Sequence, residues 1–159
     1  YLFHNDFGQL DQMLDIWREA LSRCSDAHEV PLLPGDLACL AGLRDVTAGD
    51  FEQAEQQFLA CQKVRAANLP PNHEMLINIA SNLGVAVGSK NDYKGAKDYF
   101  TEAETMYGTL DTPSPLKITL LNNNMGKLLS CAGDYVPAKD RFDCALGEAT
   151  KIRSTYWMF

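Results

Sequence analysis

Four times in 159 residues an Asn or Gly is followed by Asp and then by an aromatic: Asn5-Asp6-Phe7, Gly49-Asp50-Phe51, Asn91-Asp92-Tyr93 and Gly133-Asp134-Tyr135. The steps between them are 44, 42 and 42 residues. A period of about 20–50 residues marks stacked repeats, in which each unit buries its apolar face only against its neighbours. The tripeptide has a mechanical meaning. Gly or Asn accepts the left-handed backbone that ends one helix. The Asp accepts the orphan N–H groups of the next helix, and the aromatic opens a new apolar stripe. Each copy therefore reads as the corner of a helix–turn–helix hairpin.

Downstream of each corner the apolar residues fall at offsets 3, 7 and 10 from the aromatic: Leu10, Leu14, Trp17; Ala54, Phe58, Cys61; Ala96, Phe100, Ala103; and Ala138, Phe142, Ala145. These offsets lie on one face of an α-helix and not of a strand, so Phe58, Phe100 and Phe142 are expected to be buried between hairpins. Seven residues before each of the last three corners stands a glycine, Gly42, Gly84 and Gly126. A mid-helix Gly costs about 1 kcal/mol relative to Ala, so its recurrence points to a close helix crossing. Ala41, Leu83 and Met125 precede these glycines and complete the core face. Six prolines precede or open first helices, and Pro137 falls in a first turn, where a missing N–H is harmless. The pattern predicts helices near 6–25, 36–48, 51–68, 73–89, 92–107, 115–131 and 134–152, with no strand: an all-α chain.

The small/small/aromatic/small pattern resembles the tetratricopeptide repeat family, carried by Gly42, Ala54 and Phe58, by Leu83, Gly84, Tyr93, Ala96, Phe100 and Ala103, and by Gly126, Tyr135, Ala138, Phe142 and Ala145. The common period in that family is 34 residues. The longer period here is similar to the branch that includes kinesin light chains, whose Leu-Asn-Asn helix start is matched by Leu121-Asn122-Asn123-Asn124. The resemblance implies a right-handed α-solenoid of antiparallel helix hairpins. It would be one module over 1–159, with a half repeat at 1–30 and repeats at about 34–70, 72–112 and 114–153, excised from a longer protein. It also implies partner binding on the concave face lined by the first helix of each hairpin.

Composition narrows the function. Net charge is −7, whereas nucleic-acid binding needs a basic stripe to release phosphate counterions. No 18-residue apolar run is present to span a membrane. The five cysteines, Cys24, Cys39, Cys61, Cys131 and Cys144, form no Cys-x-x-Cys pair. They read as small hydrophobes in a reduced, cytoplasmic setting. Cys24 and His28 stand one helical turn apart without a second ligand pair, so no metal is expected. There is no phosphate loop or catalytic motif. Glu102 and Glu104 fall on a predicted solvent face, away from any pocket that would shift their pKa values. The expectation is a non-enzyme without cofactors.

Aligned by the 42-residue period, Leu40, Asn82 and Asn124 share a register two residues before the recurrent glycines. In peptide-binding relatives an Asn at this point grips ligand main chain. Asn82 and Asn124 match, and Leu40 departs. The same faces carry Asn78, Ser81, Asn82 and Val85 in one repeat and Leu120, Asn123, Asn124 and Lys127 in the next. Asp36, Cys39, Leu40 and Leu43 are the equivalents in the first. Asn and Ser are poor helix-interior residues because they compete for backbone hydrogen bonds. The candidate peptide-binding set is Asn78, Ser81, Asn82, Asn123, Asn124 and Lys127. Asn122 aligns with Ala38 and Ala80, so it is expected to touch its partner helix instead. A protein-interaction module for a peptide with an apolar residue and a carboxylate is the leading expectation. The alternatives are a structural scaffold subunit and a sensor of peptides or small molecules. The terminal apolar clusters, Tyr1, Leu2 and Phe3, with Leu10, Leu14 and Trp17 behind them, and Tyr156 to Phe159, predict self-association through uncapped ends.

Overall fold

The predicted corners turn in left-handed backbone. Gly49 (φ 86°), Asn91 (φ 66°) and Gly133 (φ 87°) are the three positive-φ residues among those described. The computed structural model describes residues 6–23 and 31–156. In that range lie seven helices and no strand: α1 (Asp6–Arg23), α2 (Leu33–Ala48), α3 (Phe51–Asn68), α4 (Glu74–Ser89), α5 (Tyr93–Tyr107), α6 (Pro115–Cys131) and α7 (Tyr135–Tyr156). The expected first corner residue, Asn5, lies outside the described residues.

Local chemistry explains the boundaries. At Asp92 the side chain caps α5 as expected, its Oδ1 accepting from the Gly95 N–H at 2.9 Å. Asp50 makes no side-chain cap bond, and only its carbonyl accepts, from Ala54 N–H. His73 Nδ1 starts α4 by accepting from the Met75 N–H at 3.2 Å. Pro115 opens α6 as its first residue, where its missing N–H has no helical acceptor to lose. Two boundaries within the described residues differ from expectation by more than one residue. Helix α2 begins three residues earlier, because Pro34 sits inside its first turn. Helix α7 continues at least to Tyr156, and 157–159 lie outside the described residues.

The recurrent glycines are helix crossings, as their spacing predicts. A Cβ on Gly42, Gly84 or Gly126 would stand 2.6, 2.8 or 2.7 Å from Cε1 of Phe58, Phe100 or Phe142, sixteen residues further on in each case. Such separations are inside van der Waals contact, so each ring lies flush on the bare backbone of the helix before it. The chain divides into two compact units at Ile79/Ala80, within α4. In the first, α2 packs on α1 and, antiparallel, on α3, with Leu14, Leu37, Ala38, Ala54, Phe58 and Cys61 buried. In the second, α6 packs on α5 and α7, with Leu83, Ala96, Phe100, Ala103, Leu121, Met125, Ala138 and Ala145 buried.

Phe142 departs from the expectation. Phe58 and Phe100 are fully enclosed, but Phe142 is 37% exposed. Both rings lie on the glycine of the helix before them, Gly84 for Phe100 and Gly126 for Phe142, so the difference is on the outer side of the ring. The offset pattern identifies the face a residue occupies. It does not supply the neighbour that closes that face.

Candidate functional site

Residue Asn124 of α6 and residue Lys127 one turn later share the wall of a recess in the second unit. Gly84, Val85 and Gly88 of α4, Tyr93 and Phe100 of α5, and Leu128 of α6 complete most of its lining. Its volume is about 200 Å³. Gly84 and Gly88 lie one turn apart on α4 and let its neighbours approach closely: a Cβ on Gly84 would meet Phe100 Cε1 at 2.8 Å, and one on Gly88 would meet Leu128 Cδ1 at 2.7 Å. Tyr93 is fixed at the margin by donating its hydroxyl to Asn91 Oδ1 at 3.0 Å. The surface is chiefly apolar, with one amide and one ammonium at its edge.

Of the six residues selected from sequence, Asn124 and Lys127 therefore come together. Ser81, Asn82 and Asn123 are half-buried on their helices and do not line this recess. Asn78, also half-buried, belongs to the first unit and is engaged in interactions of its own. Sequence reasoning missed Gly88, Tyr93 and Leu128. The Gly84/Gly88 spacing was the available signal, since two glycines a turn apart mark a face that other helices approach closely.

Asp36 and Cys39, expected on the binding surface, face α3. Arg65 is only 7% exposed and donates from Nη2 to Asp36 Oδ1 at 2.8 Å and from Nη1 to the Met75 carbonyl at 3.3 Å. Its Nε is buried without a hydrogen-bond partner among the described residues. Cys39 and Cys61 meet beside this pair. A hydrogen bond from the Cys61 thiol stabilises the Cys39 thiolate; burial opposes this and Arg65 assists it, so the Cys39 pKa falls to about 7. The same bond to Cys39, together with burial, pushes Cys61 up.

Asn122 behaves as expected. It is buried, donates Nδ2 to the Ile118 carbonyl at 3.1 Å and accepts on Oδ1 from Arg141 Nη1 of α7 at 3.2 Å. Arg141 also grips Glu104 of α5, through Nη1 to Oε1 and through Nη2 to Oε2 at 3.1 Å. Glu104 and Glu102 are both exposed, but Glu104 is a strut between helices.

A second recess, about 290 Å³ and polar, lies in the first unit among Asp11, Arg18, Arg44, Asp45, Asp50, Gln53 and Gln57. Its arginines are already paired: Arg44 with Asp45 at 2.9 Å and Asp11 at 3.4 Å, and Arg18 with Asp15 at 3.3 Å. No group of three His, Cys, Asp or Glu among the described residues is placed to hold a metal ion. Cys24 and His28 lie outside the described residues. No described helix is long and apolar enough to cross a membrane.

Among solved structures the chain is similar to BtubC (BKLC) from P. vanneervenii, with TM-score 0.51 and 16% identity over 92% of this chain and 75% of that one. That likeness shows the fold: a helical repeat. No protein-family model matches the chain, and no curated protein sequence matches it.

Proposed function

We propose that the chain is a protein-interaction module that binds a peptide or partner segment on the α4/α6 surface of its second unit. The observation that carries this is the apolar recess with Asn124 and Lys127 at its edge. Its volume of about 200 Å³ is below the roughly 300–1,000 Å³ of small-molecule sites. One apolar side chain of a ligand fits such a space, which favours a peptide over the small-molecule sensor reading. Asn124 supplies a donor and an acceptor for ligand main chain, and Asn82 occupies the equivalent register position one repeat earlier. Lys127 supplies the counter-charge for a carboxylate near the inserted side chain. Binding of this kind uses no cofactor and no catalysis, and the reading belongs to a cytoplasmic, reducing setting.

Selection from a random peptide library tests it. Enrichment of peptides pairing a Leu, Ile or Met with an acidic residue is expected. Lys127→Glu should shift the selected sequences from acidic to basic. The Asn82→Ala/Asn124→Ala double variant should bind an enriched peptide about 10–100-fold more weakly, since each lost hydrogen bond costs about 1 kcal/mol or more. Undiminished binding by both variants would remove these residues from the site. Absence of any enriched peptide would favour the second reading, a scaffold subunit, which draws on the exposed apolar residues Tyr135, Val136 and Leu146 of α7.

A further inference from the structure

The seam between α2 and α3 brings its residues together in strict antiparallel order. Gly42 lies against Phe58, Cys39 against Cys61, Asp36 against Arg65 and Gly35 against Val64. The two cysteines are thus opposed across a helix crossing, with a contact fixed on each side of them. The glycines set the separation. A Cβ on Gly35 would be 3.1 Å from Val64 Cγ1, and one on Gly42 would be 2.6 Å from Phe58 Cε1. Both helices are therefore held at close range, as the narrow Cα–Cα window of a disulfide requires. The two thiols are free, yet they are unequal in access: Cys39 is half-buried and Cys61 fully buried. Arg65, buried beside them with its Nε unpartnered among the described residues, places a positive charge next to any negative charge that develops on sulfur.

We propose that Cys39 and Cys61 form a peroxide-sensitive redox pair, Cys39 being the attacking residue and Cys61 the resolving one, whose oxidation staples α2 to α3. The Cys39 thiolate attacks one oxygen of hydrogen peroxide and the O–O bond breaks, leaving Cys39 as a sulfenic acid and releasing hydroxide, which takes up the proton that Cys39 had lost. The Cys61 sulfur then attacks the sulfenic sulfur. The S–S bond forms, the S–O bond breaks, and the departing hydroxyl leaves as water with the Cys61 proton. Two thiols lose two electrons in all, and one peroxide becomes two waters. Thiol reductants reverse the step by exchange through a mixed disulfide.

The test treats the full chain with a slight excess of hydrogen peroxide without reductant, followed by non-reducing peptide mapping. A Cys39–Cys61 linked peptide is expected, with a mass loss of about 2 Da that dithiothreitol reverses, before the exposed Cys131 and Cys144 are consumed. In Cys61→Ala, Cys39 should accumulate as the sulfenic acid and be trapped by dimedone, which labels it weakly in the wild type. Cys39→Ala should abolish the linkage and leave Cys61 a thiol. The wild-type map needs no variant, so misfolding of a variant leaves the test intact. Oxidation of Cys131 or Cys144 while Cys39 and Cys61 remain thiols would overturn the proposal. Linkage of Cys39 chiefly to any other cysteine would do the same.

Discussion

A glycine's worth depends on what stands opposite its missing side chain. Gly84 and Gly147 are both helical, but a Cβ on Gly84 would meet three atoms of the Phe100 ring within 2.9 Å, and one on Gly147 would meet nothing within 4 Å. Gly→Ala in a helix interior gains about 1 kcal/mol from propensity, while overpacking a filled core costs about 1–3 kcal/mol. Gly147→Ala is therefore expected to raise the denaturation midpoint and Gly84→Ala to lower it. Opposite signs in a urea titration are the check, and two gains would show that the Phe100 ring yields. The thiol of Cys39 is tuned at the same scale. With its pKa lowered to about 7, chiefly by the Cys61 thiol, its nucleophilic thiolate forms at lower pH than that of an ordinary cysteine near 8.5. Site-resolved iodoacetamide labelling of Cys39 should rise through pH 7. In Cys61→Ala, which removes the largest cause, the midpoint should move upward; an unchanged midpoint would show that the neighbouring thiol is not what lowers it.

At the level of helices, the three Gly–Phe crossings are equivalent in sequence and unequal in energy. Phe58→Ala and Phe100→Ala should each cost about 3–5 kcal/mol, as truncation of a fully buried aromatic does. Phe142 keeps 37% of its surface in water, so Phe142→Ala should cost about two-thirds as much, since the lost burial scales with area. Chemical denaturation of the three variants ranks them; a Phe142 penalty equal to the others would mean its outer face is covered in solution. This difference also marks the reach of the sequence. Helix limits were legible within a few residues because turn chemistry is local: Gly49, Asn91 and Gly133 are residue types that accept the left-handed backbone a helix end uses. The Gly–Phe crossings were legible because the same spacing recurs. Asp36–Arg65 and Glu104–Arg141 were not, because partners 29 and 37 residues apart leave no trace in any helical period. The recess beside Asn124 and Lys127 was half legible. Period alignment found its polar edge, but its volume depends on Gly84, Gly88 and Leu128 meeting across helices.

For the molecule as a whole, two opposing terms decide whether copies associate. The net charge of −7 repels a second copy, and the Debye length sets how far that repulsion reaches, about 10 Å at 0.1 M salt and 3 Å at 1 M. Attraction comes from exposed apolar surface. On α7, Tyr135, Phe142 and Leu146 stand at intervals of seven and four residues, one stripe of a helix, and are 71, 37 and 67% exposed. Ala138 and Ala145, next to this stripe on the same side of the helix, are already buried. A contiguous apolar stripe of this kind marks an association surface more often than isolated exposed residues do. We therefore expect self-association between copies of this chain through α7, weak at low salt and stronger as screening removes the repulsion. Light scattering across a concentration series at 0.05 and 0.5 M NaCl, values on either side of the roughly 0.15 M physiological level, reads it directly. Leu146→Glu adds a charge at an exposed position without touching the core, so it should suppress the mass increase while leaving the circular dichroism helical. A chain that stays monomeric at both salts, or a Leu146→Glu variant that associates as the wild type does, would show that this stripe is not the contact.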